Sequence, residues 1–287
     1  MKQKLVLIDA DSLIFYSSKD TIEESIKSIQ DRIETILEKT NSESFILFLT
    51  GATNFRYDIY PEYKSGRKKV KSKPAKKPLK YIKTLKAYLL EEFKACLIEG
   101  LEADDMVVYY THNIIPKNYT VCISSPDKDV LNQVLGEHYN YGKDEMIEIL
   151  DQNQIDRFRA FQLLVGDVTD SIPGIVNRTK YMRETYGLDK REGVGEVTAN
   201  KILDLIDHKG GHYASEILNC YISKYGSIKL DPVAREKGFE DYTLNRRLLH
   251  LDGNQIPEYK ILQNYDIEQH INVVKTENIN EEEVDEF

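Results

Sequence analysis

The sequence has few cysteines and no long apolar segment. Cys96, Cys122 and Cys220 are scattered over 287 residues and form neither a disulfide framework nor a CxxC metal site. No apolar run approaches the roughly 18–20 residues of a membrane-spanning helix. Asp9 ends the first apolar run too early for a signal peptide. We therefore expect a soluble, cytoplasmic protein from a reducing compartment, with no membrane partner.

Two classes of site are also excluded by what is missing. The six histidines are dispersed, so no His/Cys set has the spacing of a zinc site. No GxGxxG follows the first apolar strand, which argues against a nucleotide-binding Rossmann protein. The length allows one large domain or two small ones.

Charge is distributed unevenly along the chain. The formal net charge is −9, yet the segment from Lys64 to Leu90 has eleven basic residues and no acidic one. The basic residues are Lys64, Arg67, Lys68, Lys69, Lys71, Lys73, Lys76, Lys77, Lys80, Lys83 and Lys86. A solvated surface is the simpler interpretation. Nearby tyrosines favour single-stranded nucleic acid, because lysines neutralise phosphates and tyrosine rings stack on unpaired bases.

Apolar patterning predicts an α/β architecture in the first half of the chain. Residues 4–8, 45–50 and 120–124 are apolar without alternation, as in strands that are buried on both faces. Residues 20–39 carry apolar side chains at three- and four-residue spacing, which predicts an amphipathic helix. Alternation of strands and helices favours a mostly parallel central sheet that is flanked by helices.

The second half is predicted to be helical, with a boundary near residue 155. We expect a sheet domain over residues 1–155 and a helical region over residues 156–287. Gly193 and Gly195 precede a predicted helix, so backbone N–H groups there can approach a phosphate. A lone GxG is more often a tight turn. The acidic C-terminal tail is expected to be disordered.

Carboxylates follow four apolar elements. They are Asp9 and Asp11, then Glu102, Asp104 and Asp105, then Asp127 and Asp129, and finally Asp167 and Asp170. A single pair of this kind is commonly a helix cap. Four clusters at one edge of a parallel sheet would repel one another unless cations were bound. Oxygen ligands select hard ions, so the sequence predicts two Mg²⁺ or Mn²⁺ ions, an arrangement suited to phosphodiester hydrolysis.

Six collinear motifs carry a family resemblance. They are LIDADSL, NFR with YPEYKSGR, EADD, SPDKD, GDVTDSIPG and GVGEVTANKI. Together they resemble the 5′→3′ exonuclease/flap endonuclease family, and its phage-encoded members most of all. The resemblance implies a PIN-like 5′-nuclease fold, with a basic helical arch at about 56–90 and a helix-hairpin-helix at about 193–206. It implies cleavage of DNA at 5′ ends, flaps or branches, in a bacterial host cytoplasm if the protein is phage-encoded.

The resemblance also assigns roles to individual residues. The first metal ion would be held by Asp9, Glu102, Asp104 and Asp127, with Asp105 binding directly or through water. The second metal ion would be held by Asp127, Asp129, Asp167 and Asp170. Lys64 and Arg56 would contact the scissile phosphate, and Tyr63 would stack on an unpaired base. The other DNA-binding residues would be Arg67, Lys68, Lys69, Gly193, Gly195 and Lys201, with K⁺ as a candidate ion at the hairpin.

Two features depart from the family pattern. Thr50 or Gly51 stands at the end of the second strand, where relatives usually carry an aspartate. We therefore expect a weakened metal site and a higher Mg²⁺ requirement. Residues 176–192 form an insertion with several basic residues, which either extends the duplex contact or is a neutral surface elaboration.

Two alternative functions are kept beside the nuclease. A non-catalytic DNA-junction-binding factor would explain the missing aspartate, and a PIN-like ribonuclease would normally lack the basic arch and the glycine hairpin. For the nuclease, we expect a monomer that acts in DNA replication or primer removal, with RNA–DNA hybrids as further candidate substrates. The acidic tail is a candidate docking peptide for a replication protein. The balance of exonuclease and flap endonuclease activity is left open.

Overall fold

The computed structural model describes residues 2–66, 80–113, 119–251 and 257–274. Within them, six strands form the main path of one sheet: β1 (Gln3–Asp9), β2 (Ser44–Asn54), β3 (Cys96–Gly100), β4 (Tyr119–Ser124), β5 (Gly136–Asn140) and β6 (Glu145–Ile149). Their order is β3-β2-β1-β4-β5-β6, and the seventh strand of the sheet pairs with the start of β2. All neighbours from β3 to β5 are parallel, whereas β6 runs antiparallel to β5. The predicted mostly parallel sheet is confirmed.

The apolar run of β1 is explained by burial on both faces. Leu5 and Leu7 point into one core, whereas Val6 and Ile8 point into the other. In register, Asp9 of β1 pairs with Phe48 of β2, and Ile8 pairs with Ser124 of β4. The carboxyl ends of the central strands therefore meet at one edge of the sheet.

Helices cover both faces of the sheet. They are α1 (Ala10–Ser17), α2 (Ile22–Thr40), α3 (Phe55–Ile59), α4 (Ile82–Glu92), α5 (Ala103–Asn113) and the short α6 (Lys128–Leu131). The apolar stripe of α2, including Ile29 and Ile33, packs on one face together with Leu85 of α4. On the opposite face lies α5, whose Met106 and Val107 are fully buried.

The remaining helices form a third core beside the sheet. They are α7 (Gln152–Val165), α8 (Lys180–Tyr186), α9 (Glu196–His208), α10 (Tyr213–Ile222) and α11 (Pro232–Leu249). A two-stranded ribbon, β7 (Gly166–Asp167) and β8 (Ile172–Pro173), follows α7. None of the described helices combines the length and the apolarity needed to cross a membrane.

The end of the described chain returns to the sheet. Two 3₁₀ segments, Pro257–Asn264 and Glu268–His270, lead to β9 (Asn272–Val273), which pairs antiparallel with β2. Tyr259, Leu262 and Ile267 are buried in the core beneath α5. Our predicted division at residue 155 assigned this segment to the helical region, but its apolar side chains pack on the sheet.

Candidate metal centre and nucleic-acid interface

An open cavity of about 440 Å³ lies at the carboxyl edge of the sheet. Its acidic lining residues are Asp9, Asp11, Glu102, Asp104, Asp127, Asp129 and Asp170. Thr50, Lys64 and Lys86 also line it, together with the half-exposed ring of Phe15. Residues far apart in sequence meet here because β1, β2, β3 and β4 are parallel and end at the same edge.

Asp9 occupies the turn from β1 into α1. Its Oδ1 accepts hydrogen bonds from the backbone N–H groups of Asp11 and Ser12, at 3.1 and 3.3 Å. Its Oδ2 accepts a hydrogen bond from Ser125 Oγ at 3.3 Å. Burial, followed by repulsion from Asp11, raises the pKa of Asp9 to about 6. The Asp9 carboxylate is therefore fixed in position and short of positive charge.

Glu102, Asp104 and Asp105 form the densest acidic group, with one oxygen from each lying within 4.8 Å of the others. Asp105 is fully buried and accepts two 2.7 Å hydrogen bonds from the guanidinium of Arg56. Burial opposes ionisation of Asp105, but Arg56 outweighs it and the pKa lies below the ordinary value. The pKa of Asp104 lies well above its ordinary value because of burial and repulsion from Asp105 and Glu102.

Arg56 lies behind the cavity wall. Its side chain is 2% exposed, and its Nε donates to the Leu248 carbonyl oxygen at 3.1 Å. Tyr259, which is also buried, donates a hydrogen bond from its hydroxyl to Asp105. In this conformation Arg56 holds the carboxylates of Asp105 and Glu102 in position. Its contact with a scissile phosphate stays a prediction.

Asp127 and Asp129 lie at the start of α6, just after β4. Asp127 is exposed, and its Oδ1 accepts the Asp129 backbone N–H at 2.8 Å. Asp129 accepts a 3.0 Å hydrogen bond from Gln162 Nε2. Burial and the nearby Asp127 charge raise the pKa of Asp129 to about 7. This pair faces the Asp9 and Glu102 groups across the same cavity.

Asp167 ends β7, and Asp170 lies in the turn between β7 and β8. Gly166 begins this ribbon with φ +76°, and a Cβ there would lie 2.3 Å from the backbone N of Gly174, so glycine is required. Asp167 Oδ1 accepts the N–H groups of Thr169 and Asp170, at 2.7 and 3.1 Å. Asp170 lines the cavity. Asp167 shapes the turn through these hydrogen bonds, and its predicted binding to the second metal ion stays a prediction.

The beginning of the basic segment is tied to this turn. Lys64 has a left-handed backbone with φ +56°, and its N–H donates to the Asp170 carbonyl oxygen at 2.8 Å. Its ammonium pairs with Glu102 and lies 4.0 Å from Asp170 Oδ2. The hydroxyl of Tyr63 lies 2.8 Å from Glu102 Oε2 and 3.0 Å from Asp170 Oδ2. Because Tyr63 is only 3% exposed, its predicted stacking on a base stays a prediction.

The cavity fits divalent cations by the chemistry of its donors. The donor atoms of its acidic side chains are all carboxylate oxygens, which hard ions such as Mg²⁺ prefer. Burial, followed by repulsion from neighbouring carboxylates, raises the pKa values of Asp9, Asp104 and Asp129, and a bound cation would favour their ionised forms. The lining carboxylates that could hold such ions are those of Asp9, Glu102, Asp104, Asp127, Asp129 and Asp170.

The predicted glycine hairpin is a loop before α9. Gly193 has φ +74°, and its N–H donates to the Val176 carbonyl oxygen at 2.6 Å. Arg178 Nε donates to the Gly193 carbonyl oxygen at 2.8 Å, and another guanidinium nitrogen donates to Thr198 Oγ1 at 2.9 Å. Arg178, from the insertion at residues 176–192, therefore stabilises this loop through hydrogen bonds. Gly195 is the N-cap of α9 and has open space beside it.

The remaining predicted DNA-binding residues lie on α9 and in the basic segment. Lys201, exposed on α9, donates to the Gly187 carbonyl oxygen at 2.7 Å. A helix-hairpin-helix contact with DNA, and K⁺ at the loop, stay predictions. Arg67, Lys68 and Lys69 lie outside the described residues, as does the acidic tail.

Several residues of the site escaped sequence reasoning. Asp11 and Lys86 belong to the acidic and basic clusters of the sequence, but the family resemblance assigns neither of them a role, and Phe15 is an ordinary apolar position of α1. Tyr259 lies 154 residues from Asp105 along the chain, and no local pattern could have connected them.

Comparison with known proteins places the chain in a family. The family model for the 5′-3′ exonuclease, N-terminal resolvase-like domain, matches residues 4–159, which is more than half of the chain. The chain therefore belongs to the 5′-3′ exonuclease family, as its six motifs indicated.

Curated relatives and solved structures agree with this placement. DNA polymerase I of Borreliella burgdorferi is 28% identical over 281 residues, covering 89% of this chain and 28% of that protein. A 5′-3′ exonuclease of Buchnera aphidicola is 29% identical over 197 residues, covering 61% of this chain and 66% of that protein. A mutant T5 5′-exonuclease structure superposes with a TM-score of 0.59 at 17% identity, covering 94% and 96% of the two chains. At that identity it supports the fold alone.

Proposed function

We propose that this protein is a metal-dependent 5′ nuclease that hydrolyses DNA phosphodiester bonds at 5′ ends, flaps or branches. The observation that carries the proposal is the acidic cavity at the sheet edge, with Lys64 and Lys86 in its wall. Family membership supports it. A structural relative with a TM-score of 0.52, a T5 flap endonuclease, is described as a pseudo-enzyme–product complex with DNA and metal ions.

Two divalent ions, Mg²⁺ or Mn²⁺, would lower the pKa of an attacking water and neutralise charge on the leaving oxygen. Asp9, Glu102, Asp104, Asp127, Asp129 and Asp170 would hold them. Arg56 and Tyr63 keep Glu102 and its neighbours in place through hydrogen bonds. Both carboxylate oxygens of Asp105 accept hydrogen bonds from Arg56. Asp105 would therefore contribute by fixing the positions of Glu102 and Asp104.

Lys64 would act on the substrate itself. Its ammonium pairs with Glu102 inside the cavity, so it lies where a phosphate group would enter. There it would offset negative charge that develops in the transition state. Phe15, which is 52% exposed at the same cavity, offers a ring face to a base next to that phosphate.

Cleavage of a 5′-labelled flap duplex tests this function, with Mg²⁺ and with EDTA. Asp127→Asn should remove most of the activity, because it deletes a charge from the cavity. Glu148→Gln, a matched change on the exposed face of β6, should not. Product lengths distinguish end trimming from flap cutting. Tight binding without cleavage at any Mg²⁺ or Mn²⁺ concentration would instead favour the junction-binding factor.

Finer predictions accompany the proposal. Action on RNA–DNA hybrids, a monomeric state, a cytoplasmic location and a role in replication or primer removal rest on the family resemblance. Docking of a replication protein by the acidic tail has the same basis.

A further inference from the structure

Asp11 and Lys86 form an ion pair in the wall of the acidic cavity that the proposed mechanism does not use. Lys86 Nζ on α4 lies 2.7 Å from Asp11 Oδ1 on α1. Asp11 Oδ2 accepts the Thr50 backbone N–H at 2.9 Å, and Lys86 Nζ donates to the Thr50 carbonyl oxygen at 2.8 Å. Both side chains are therefore anchored on the last part of β2.

The end of β2 presents no carboxylate of its own to the cavity. Thr50 lines it, but its hydroxyl accepts the Ala103 N–H at 3.0 Å. The neighbouring Gly51 has no side chain, and a Cβ there would lie 2.7 Å from Glu99 Oε2. Glu99 is held outside the cavity by the N–H groups of Ala52 and Thr53. Asp11 is thus a carboxylate that α1 brings to this position.

The exposure of the pair suits an exchangeable partner. The Lys86 and Asp11 side chains are 27% and 30% exposed, whereas those of Arg56 and Asp105 are 2% and 0% exposed. A lysine that water reaches can leave its carboxylate at a lower cost than a fully buried cation, because water solvates both separated charges. The guanidinium of Arg56 cannot leave Asp105 in this way, because water does not reach it.

Asp11 also lies next to Asp9 at the cavity. Both residues line it, and the Asp11 backbone N–H donates to Asp9 Oδ1 at 3.1 Å. Lys86 supplies one positive charge to this pair, and a divalent ion would supply two. The divalent ion is the stronger partner wherever several carboxylates converge.

We propose that Asp11 is an additional carboxylate of the metal centre, which Lys86 neutralises in the metal-free protein and which a divalent ion takes over. The inference rests on the proposed function, because it presumes the metal centre. It also bears on the aspartate missing from the end of the second strand. Asp11 restores a negative charge there from a different element, so the expected weakening of the metal site is offset. Once released, Lys86 stays at the cavity rim, where it can pair with a phosphate of the nucleic acid.

Mn²⁺ binding without DNA, followed by electron paramagnetic resonance, tests the inference independently of activity. Asp11→Asn should raise the Mn²⁺ dissociation constant about tenfold, the size seen when a supporting carboxylate of a metal site is lost. Lys86→Met should lower it about threefold, because the competing cation is gone. In the double variant, Lys86→Met should have no further effect, since Lys86 acts through Asp11.

Glu99→Gln is the matched control, because Glu99 carries the same charge at the same sheet edge outside the cavity. It should change the dissociation constant less than about twofold, since solvent and salt screen its charge. Equal affinities of Asp11→Asn and the unchanged protein would overturn the inference, as would an equal loss in Glu99→Gln. A Lys86→Met effect that persists in the Asp11→Asn background would show general electrostatics and also overturn it.

A further variant separates this inference from the proposed function. Asp104→Asn should weaken Mn²⁺ binding whether or not Asp11 takes part. If the unchanged protein binds no Mn²⁺, the proposed metal centre itself fails. If it binds Mn²⁺ and Asp104→Asn weakens that binding while Asp11→Asn does not, only the role of Asp11 fails. Urea unfolding of each variant checks that it is folded.

Discussion

Two cation–carboxylate pairs at the carboxyl edge of the sheet, Arg56–Asp105 and Lys86–Asp11, differ in their exposure to water. Arg56 and Asp105 are sealed between α5, α11 and the returning segment at Tyr259. Lys86 and Asp11 sit in the open wall of the cavity. A buried pair is costly to break, because either charge left alone has lost its solvation. An exposed pair exchanges partners readily.

Because of this difference in exposure, the two pairs have different roles at the site. The sealed pair keeps Glu102 and Asp104 in fixed positions, which a metal centre needs for selective binding. The open pair offers a carboxylate and an ammonium that can be redirected to a metal ion and a phosphate. A cation–carboxylate pair therefore positions its neighbours when it is buried, and supplies ligands when water reaches it.

The largest expected effect comes from breaking the sealed pair. Arg56→Met leaves Asp105 buried without its cation, and we expect it to destabilise the fold by about 3–5 kcal/mol. Urea unfolding at pH 7 measures this loss. Arg157→Met, which removes an arginine from exposed pairs with Asp204 and Asp207, should cost under about 1 kcal/mol. Similar losses in the two variants would refute the contrast.

A smaller effect should appear at a cavity carboxylate whose pKa is raised. Burial and Asp127 raise the pKa of Asp129 to about 7 in the folded protein, above its value in the unfolded chain. The folded protein therefore binds this proton more tightly, so the stability contributed by this group is lost as the pH rises from about 4 to about 7 and stays lost above it. In EDTA, Asp129→Asn should be more stable than the unchanged protein at pH 8, by about 1–2 kcal/mol.

That gain should shrink as the pH falls through 7 and vanish near pH 4, where Asp129 is protonated in both states. Mg²⁺ should reverse the order at pH 8, because it stabilises only a protein that binds it. Thermal unfolding of both proteins at pH 5 and pH 8 measures the slopes. A gain that does not depend on pH would mean that packing, and not charge, is responsible.

The smallest effect should come from the open pair. Lys86→Met should change the free energy of unfolding by less than about 0.5 kcal/mol, because solvent and salt screen the pair. Urea unfolding beside Arg56→Met gives the direct comparison. A loss as large as that of Arg56→Met would show that Lys86 is a structural residue and would weaken its proposed exchange.

Much of the fold could be predicted because its signals are local. The uninterrupted apolar run before Asp9 and the periodicity of α2 follow from the faces that these elements bury. The placement of most of the acidic groups at one edge follows from parallel pairing. The packing of residues 257–274 on the sheet could not be predicted, since short 3₁₀ segments and a two-residue strand leave little pattern in a sequence.

The family, the mostly parallel sheet and most of the cavity carboxylates can be read from short stretches of contiguous residues. Which charges face water depends instead on how distant parts of the chain pack together. This packing buries Arg56 against Asp105, sets Tyr63 behind Glu102, and leaves Asp11 and Lys86 open to exchange. Burial depends on what packs around a side chain from distant parts of the chain, and Tyr259 reaches Asp105 from 154 residues away.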